Sequence, residues 1–137
     1  MNNFSVPVEE LTYLAGFFDG EGCIQTQVTK RCLALSVTNK WYTPLEKFMN
    51  AFGGRVHLVT DKKGFSCFRW EVYADGAMLA LKQLLPFLII KKQRAKIAIE
   101  FQELKYIDPS RRKELALKIT SLNKEGARRE VIRELEK

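Results

Sequence analysis

The sequence predicts an α+β fold in which a four-stranded antiparallel sheet carries helices on one face. Two observations predict it. Four short segments alternate between apolar and polar residues, as half-buried strands do, and they come in two pairs. Helical segments lie before, between and after these pairs, which gives the order α-β-β-α-β-β-α-α. No repeat or low-complexity linker divides the 137 residues, so we expect a single domain over residues 1–137.

The first helical segment runs from Leu11 to Phe18, where nearly every residue is apolar or small. A helix that is apolar on all sides has to be covered on all sides. Ala15, Gly16 and Gly20 have little or no side chain, so another helix could approach this one closely. The pattern therefore predicts a helix that is buried on two sides, one against the core of its own domain and the other against a further helix.

Two carboxylates, Asp19 and Glu21, stand between glycines at the end of this helix. Glycine commonly follows the last turn of a helix, so we expect the helix to end here. An acid at this end costs about 0.3–1 kcal/mol, because the helix dipole is negative there. A bound cation would offset that cost. The pattern therefore predicts a helix that presents a carboxylate to a metal ion, with Asp19 in a structural role.

The first two strands are predicted over residues 23–30 and 32–38. Polar residues alternate with inward-facing ones, which we take to be Ile24, Thr26, Val28, Leu33, Leu35 and Val37. Such alternation is typical of strands that have one buried face. We expect that face to lie against the helices.

A second helix is predicted from about Thr43 to Phe52. Pro44 suits a first helical turn, and the glycine pair that follows Phe52 stops the helix. Two more strands follow, joined by a turn at residues 61–64. Their inward residues are predicted to be Val56, Leu58, Phe68, Trp70 and Val72.

Helices account for the rest of the chain. Asp75 is expected to cap a helix over residues 76–85, and Pro86 interrupts the chain before a long helix over residues 91–106. A stop at residues 108–110 precedes a basic helix that reaches about residue 123. The core is therefore expected to span about residues 10–107, and residues 108–137 to add accessory C-terminal helices.

Charge and cysteine content limit the possible functions. The net charge of +7 and the pI near 9.4 favour a polyanionic partner, either nucleic acid or an acidic membrane surface. No apolar run approaches the roughly 20 residues that span a bilayer, so no membrane partner is expected. Three cysteines without metal-site spacing indicate reduced thiols. We therefore expect a reducing compartment, either a prokaryotic cytoplasm or an organelle interior. No targeting signal is seen.

The run Leu-Ala-Gly-Phe-Phe-Asp-Gly-Glu-Gly at residues 14–22 resembles the signature of the LAGLIDADG homing endonucleases. The resemblance implies an αββαββα core whose sheet reads DNA, and a staggered double-strand cut that leaves short 3′ overhangs. It implies Mg²⁺ as cofactor, with Mn²⁺ as a substitute. The family's metal ligand is the second acid of the motif, which falls on Glu21, and the Gly20 carbonyl is its implied companion. Glutamate keeps the hard oxygen donor that Mg²⁺ prefers.

Two further catalytic positions are implied by the resemblance. Asn39 closes the second strand, where members of the family carry a polar residue, often glutamine, that orders water near the metals. Lys91 precedes the last core helix and would polarise the attacking water or stabilise the pentavalent phosphate. Some relatives carry an arginine just after the polar residue, but residues 41–43 contain none.

The sheet face opposite the helices is the predicted DNA-binding surface. Glutamine can pair with adenine and arginine with guanine in the major groove. The alternative is that this face is simply polar, as in most antiparallel sheets. The predicted DNA-contacting residues are Gln25, Gln27, Thr29, Arg31, Ser36, Thr38, Arg55, His57, Arg69, Glu71 and Tyr73.

One chain supplies one acid-bearing helix, whereas cutting both strands needs two sites. We therefore predict a homodimer about a two-fold axis, with Tyr13, Gly16, Phe17 and Gly20 at the interface. The predicted function is that of an intron-encoded, homing-type endonuclease acting on a long pseudo-palindromic site. The alternative is a non-cleaving nucleic-acid-binding protein on the same fold, such as an intron maturase or a regulator. A membrane-binding basic domain would need an amphipathic anchor, which the sequence lacks.

Overall fold

The computed structural model describes residues 6–27 and 32–135, with side chains described for residues 6–26 and 32–125. Within these ranges, five helices, one short 3₁₀ turn and four strands follow one another. Their order agrees with the predicted α-β-β-α-β-β-α-α, and the fifth helix follows as the C-terminal addition. In chain order they are α1 (Val8–Glu21), β1 (Gly22–Gln27), β2 (Cys32–Asn39), α2 (Tyr42–Phe52), β3 (Arg55–Thr60), β4 (Ser66–Tyr73), α3 (Ala74–Leu84), the 3₁₀ turn (Leu85–Phe87), α4 (Lys92–Glu103) and α5 (Pro109–Leu135).

The four strands form one antiparallel sheet in the order β1-β2-β4-β3, so β2 and β4 are central. Strand register places the alternate apolar residues in rows across the sheet, for example Ile24 beside Leu35 and Leu35 beside Val72. Helices cover this apolar face, where Leu35 and Trp70 are fully buried. The predicted α+β class is confirmed. The predicted inward residues are buried or half-buried, except Leu58 on the edge strand β3, which is 59% exposed, and Val28, which lies outside the described residues.

Helix α1 packs one side onto this core. Its Leu14, Ala15 and Phe18 are fully buried, and the Phe18 ring lies 6.4 Å from Phe48 on α2. The strand begins directly after the helix, at Gly22, and a Cβ atom added there would collide with the Phe18 ring. Only glycine allows the chain to turn from α1 into β1 at this distance from the ring.

Two helix starts differ from the prediction. Helix α1 begins at Val8, one turn before the expected start, because Pro7 supplies a non-helical residue ahead of it. Helix α3 begins at Ala74, so Asp75 lies inside the first turn instead of capping it. The Asp75 carboxylate accepts hydrogen bonds from Gln102 and Lys105, which ties α3 to the end of α4.

The C-terminal region also differs from the prediction. Residues 109–135 form one helix where several accessory helices are expected, because no proline follows Pro109 and the lone Gly126 does not stop the helix. Leu115 and Ile119 of α5 are each only 1% exposed and belong to the main core. This helix therefore extends the core beyond residue 107. None of the helices in the described ranges is long and apolar enough to cross a membrane.

Candidate functional site

Glu21 is the last residue of α1, and its side chain is exposed. No described residue forms a hydrogen bond or an ion pair with its carboxylate. Gly20, next to it, is also exposed. The last carbonyl groups of a helix lack partners within the helix, and the dipole is negative at this end. Glu21 and the Gly20 carbonyl thus offer oxygen ligands in a place that favours a cation.

Among the described residues, carboxylates do not form a metal-binding cluster at this end of the protomer. Within residues 6–27 and 32–125, no three His, Cys, Asp or Glu side chains come close enough to hold a metal ion together. Asp19, two residues before Glu21, points elsewhere. Its carboxylate is buried and accepts hydrogen bonds from the backbone N–H groups of Ile89, at 2.8 Å, and Lys91, at 3.0 Å. Asp19 therefore fastens α1 to the segment that precedes α4.

Lys91 completes this junction from the other side. Its ammonium group donates a hydrogen bond of 2.6 Å to the Asp19 carbonyl oxygen, and the residue is 7% exposed. A cation at a helix C-terminus is favourable, because it faces the negative end of the dipole. The fold thus brings Lys91 to the same end of α1 as Glu21, although 70 positions separate the two in sequence.

Asn39 ends β2 and is half-buried. Its Oδ1 atom accepts a hydrogen bond of 2.9 Å from the Trp41 N–H, which shapes the turn into α2. The amide NH₂ of Asn39 and the second lone pair of Oδ1 remain able to bind a water molecule. The Lys40 ammonium lies 5.6 Å from the centre of the Trp41 ring, so a positive charge stands close to this turn.

The open face of the sheet carries most of the predicted DNA-contacting residues. The strand register places them in rows: Gln25 shares a row with Tyr73, Ser36 with Glu71 and Arg55, and Thr38 with Arg69 and His57. All eight therefore lie on one face of the sheet, as the alternation predicts. Gln27 has the same parity in β1, but its side chain is outside the described part. Thr29 and Arg31 lie outside the described residues.

Glu71 behaves differently from its neighbours on this face, because it is only 7% exposed. One carboxylate oxygen is hydrogen-bonded to His57 Nε2, and the other accepts the Tyr73 hydroxyl hydrogen. Burial acts to raise the pKa of Glu71, but the hydrogen bonds from Tyr73 and His57 and the charge of Arg55 outweigh it and lower the pKa. The hydrogen bond between Tyr73 and Glu71 raises the pKa of Tyr73. Both carboxylate oxygens of Glu71, a residue predicted to contact DNA, are thus hydrogen-bonded within the protein.

The exposed side of α1 contains the predicted dimer interface. Tyr13 is 47% exposed, and Gly16 and Gly20 are exposed with no described atom within 4 Å of a Cβ built on either. Phe17 is half-buried and packs against Phe48 of its own protomer at 5.9 Å. Three of the four positions thus face outward, while Phe17 contributes to the protomer's own core.

Solved structures share this fold. The homing endonuclease I-CvuI, in complex with the I-CreI target in the presence of Mg, is 24% identical, with a TM-score of 0.69 over 83% of this chain and 82% of that chain. The same enzyme with its own target in the presence of Ca is 25% identical over the same shares, at 0.67. The archaeal intron-encoded homing endonuclease I-Vdi141I, complexed with DNA, is 18% identical at 0.68, over 83% and 84% of the two chains. No family model and no curated protein matches the sequence.

Proposed function

Because this chain has the fold of the LAGLIDADG homing endonucleases, we propose that it is a site-specific, metal-dependent DNA endonuclease. The supporting observation is the position of Glu21. It is an exposed carboxylate without a partner among the described residues, at the negative end of a helix whose outer side is open. This carboxylate lowers the stability of the free protein, because it lies at the negative end of the helix dipole. A bound cation would offset that loss.

The residues at the end of α1 suit Mg²⁺, and Mn²⁺ has the same ligand preference. Mg²⁺ is commonly bound by one or two carboxylates together with phosphate oxygens and water. Glu21 and the Gly20 carbonyl would hold the ion, with a DNA phosphate completing its shell. When bound, the ion would polarise the phosphate and lower the pKa of a bound water.

The protein's own groups would then assist hydrolysis. Lys91 holds an ammonium group at the Asp19 carbonyl, close in the fold to Glu21, and would stabilise the negative charge that develops on the phosphate. Asn39 would use its free NH₂ group to orient the attacking water. The buried carboxylate of Asp19 holds α1 against the segment that contains Lys91, so that Glu21 and Lys91 stay at the same end of α1.

The open face of the sheet would read the DNA. It combines the arginines Arg55 and Arg69 with Gln25 and with the hydroxyls of Ser36 and Thr38 on one surface. These side chains provide donors and acceptors that match base edges in the major groove. The net charge of +7 would supply the phosphate attraction that depends on salt.

Two copies would act together. The outer side of α1, with Tyr13, Gly16 and Gly20, leaves room for close approach of a second α1 helix. Such a pairing about a two-fold axis would bring the two Glu21 residues near each other, one for each DNA strand. The target would then be roughly palindromic, and the protein would be of the intron-encoded homing type.

A second candidate function is nucleic-acid binding without cleavage, as in an intron maturase or a regulator. The observation that favours it is the state of Asn39, whose Oδ1 atom already accepts one hydrogen bond, from the Trp41 N–H. Since residues 41–43 also contain no arginine, fewer groups are available to support hydrolysis.

The test is to incubate the protein with a library of duplex DNA and Mg²⁺ or Mn²⁺, to sequence the cut ends, and to recover bound duplexes at two salt concentrations. We expect staggered cuts at one pseudo-palindromic site, no cutting with EDTA, and binding that weakens steeply with salt. Selection of one site without cutting in either metal would favour the non-cleaving alternative. No selection of any duplex would refute both.

A further inference from the structure

A cavity of about 840 Å³ lies beside the end of α4, away from Glu21. Its walls come mainly from the ends of β1 and β2 that lie away from α1, from the connection between α4 and α5, and from the first turns of α5. Thr26 in this wall is four residues along β1 from Gly22, where α1 ends, so roughly 13 Å of strand separates the two places. Small-molecule sites commonly have volumes of about 300–1,000 Å³. The cavity is therefore a candidate site distinct from the end of α1.

Local backbone strain and an unpaired hydroxyl meet at this cavity. Among the described residues, Ala74 and Tyr106 are the non-glycine residues with a positive φ, at 54° and 67°, and both line the cavity. The left-handed region disfavours residues that carry a Cβ atom. Thr26 Oγ1 is the one buried side-chain polar atom in the described part of the chain that has no hydrogen-bond partner. Strained residues cluster at ligand sites, and a buried hydroxyl of this kind gains a partner when a polar ligand reaches it.

The walls change in character from the inside of the cavity to its mouth. On the inside, Phe101 is 4% exposed and Gln102 is 2% exposed, and Thr26 adds its buried hydroxyl. At the mouth, Tyr106 is 97% exposed and Leu117 is 62% exposed. An acyl chain would need an apolar inner wall, whereas this one carries polar side chains. A flat aromatic group with polar atoms on its edge suits both the rings and the polar inner wall.

The charge around the cavity favours an anion. Three cationic side chains line it, those of Lys105, Arg112 and Lys113, and no acidic residue is among its described lining residues. Lys113 is exposed and has no partner in the described part of the chain. Lys105 is hydrogen-bonded to Asp75, yet its side chain is 40% exposed. Arg112 is held in the wall, since its Nε–H donates to the Phe101 carbonyl and its guanidinium lies 4.1 Å from the centre of the Phe101 ring. Lys113 is thus the group best placed to bind an anionic ligand.

We propose that this cavity binds a nucleotide, with the base against Phe101, Tyr106 and Leu117 and the phosphate at Lys113. A base has aromatic faces that stack on aromatic side chains, and polar edge atoms that give the Thr26 hydroxyl a partner. Its phosphate is an anion that an ammonium group binds. A free mononucleotide and the end of a single strand offer this same chemistry. The inference goes beyond the proposed function, because it concerns a second site apart from Glu21.

The first test is a calorimetric titration with AMP, CMP, GMP and UMP, with the matching nucleosides and inorganic phosphate as the separate halves of the ligand. We expect at least one mononucleotide to bind about tenfold or more tightly than either half. It should shift the methyl NMR signals of Ala116 and Leu117, which line the cavity, but not that of Leu14 in the main core.

Single-stranded oligonucleotides with a 5′-phosphate form the second arm of this test. The same methyl shifts with these strands alone would identify a strand as the source of the nucleotide, and shifts with the mononucleotides would identify the free ligand. If neither arm moves these methyl signals, or if phosphate alone binds as tightly as the nucleotide, the inference is overturned.

Two substitutions at the mouth locate the ligand. Lys113→Ala should weaken nucleotide binding by about fivefold, near the upper end for an exposed ion pair. Lys118→Ala, an exposed lysine on the same helix outside the cavity, should leave it unchanged. Leu117→Asp should abolish binding, because it sets a carboxylate beside the phosphate, and Leu79→Asp on α3, also at an exposed leucine, is its control. Equal affinity in Lys113→Ala and Lys118→Ala would overturn the inference.

Tyr106→Ala and Tyr106→Phe test the aromatic wall without disturbing the core, since this side chain is exposed. The alanine variant should lose nucleotide affinity and the phenylalanine variant should keep it, because only phenylalanine retains a ring for stacking. Equal binding by the unmodified protein and by Tyr106→Ala would also overturn the inference. Failure of nucleotide binding leaves DNA cleavage at Glu21 standing, and absence of cleavage leaves this site standing, so the two proposals fail separately.

Discussion

Asp19 and Lys91 are joined by two hydrogen bonds, and Lys91 donates both of them. The Asp19 carboxylate accepts the Lys91 backbone N–H at 3.0 Å, and the Lys91 ammonium donates to the Asp19 carbonyl at 2.6 Å. The pair fixes the end of α1 against the segment that leads into α4. Glu21 extends from that same end toward solvent. One acid of the motif thus holds the junction, and the other is free to bind a ligand.

Asp19→Asn should lower stability. The amide keeps one acceptor oxygen but turns an NH₂ group toward a backbone N–H, either that of Ile89 or that of Lys91. A buried donor left without an acceptor costs about 1–3 kcal/mol, so we expect a loss of that size in the free energy of unfolding. Urea denaturation measures it. Glu21→Gln, an exposed site, should leave the midpoint unchanged or slightly higher, and an unaltered midpoint in Asp19→Asn would contradict the role given to Asp19.

Glu21→Gln should abolish cleavage and leave DNA binding intact or tighter. The change removes the charge that would bind the metal, keeps the size of the side chain, and relieves repulsion between the carboxylate and the phosphates. Single-turnover cleavage and a binding assay in Ca²⁺ separate the two effects. Glu9→Gln, the same change in the first turn of α1, serves as the control. Cutting by Glu21→Gln at the unmodified rate would exclude Glu21 as the metal ligand.

Lys91→Met should slow the chemical step far more than it weakens binding. Methionine keeps the length of the buried side chain but removes the ammonium that lies at the end of α1. Because the Asp19 carbonyl also loses a donor, the rate should be compared at temperatures where both proteins are folded. Lys92→Met is the neighbouring control. An unchanged single-turnover rate in Lys91→Met would transfer the role to Lys92 or Arg94.

Gly16→Leu should prevent dimerisation and cleavage together. A Cβ at this position meets no described atom of its own protomer, so the fold should tolerate leucine, and replacing a glycine inside a helix favours the helix. The larger side chain would instead hold a second α1 at a distance. Light scattering should report a monomer, with Gly16→Ala intermediate. A stable monomeric unmodified protein that still makes double-strand breaks would overturn the two-fold arrangement.

The ionised form of Glu71 should stabilise the folded protein, and this contribution should disappear at acidic pH. Because its pKa is lowered in the folded protein, its stabilising contribution is present above about pH 4 and is lost as the pH falls through the lowered pKa. The raised pKa of Tyr73 acts at the other end: its contribution is present below about pH 10 and is lost as the pH rises through the raised value. Thermal melting across pH should show a flatter acid side in Glu71→Gln and a flatter alkaline side in Tyr73→Phe. If melting temperature changed with pH in the same way in all three proteins, Glu71 and Tyr73 would not contribute to the pH dependence of stability.

Local patterns in the sequence were enough to predict the elements and the faces. Strand alternation has a period of two, so inward and outward positions follow from residue type alone, and Leu35 and Trp70 are buried as that pattern requires. The glycines and acids after Phe18 likewise indicate where α1 ends, because caps and dipole effects act within one turn.

Tertiary structure decided which of the candidate polar groups are engaged. Asp19 and Lys91 lie 72 positions apart, and Glu71 finds His57 through strand register, so neither pairing follows from local pattern. The incorporation of Leu115 into the core is of the same kind, since an amphipathic helix does not specify where it will pack. The sequence determined that two acids end α1 and that polar residues line one face. Only the packing of distant elements determined that Asp19 and Glu71 are buried acceptors of hydrogen bonds while Glu21 remains exposed, because the environment of a carboxylate depends on contacts that local sequence does not contain.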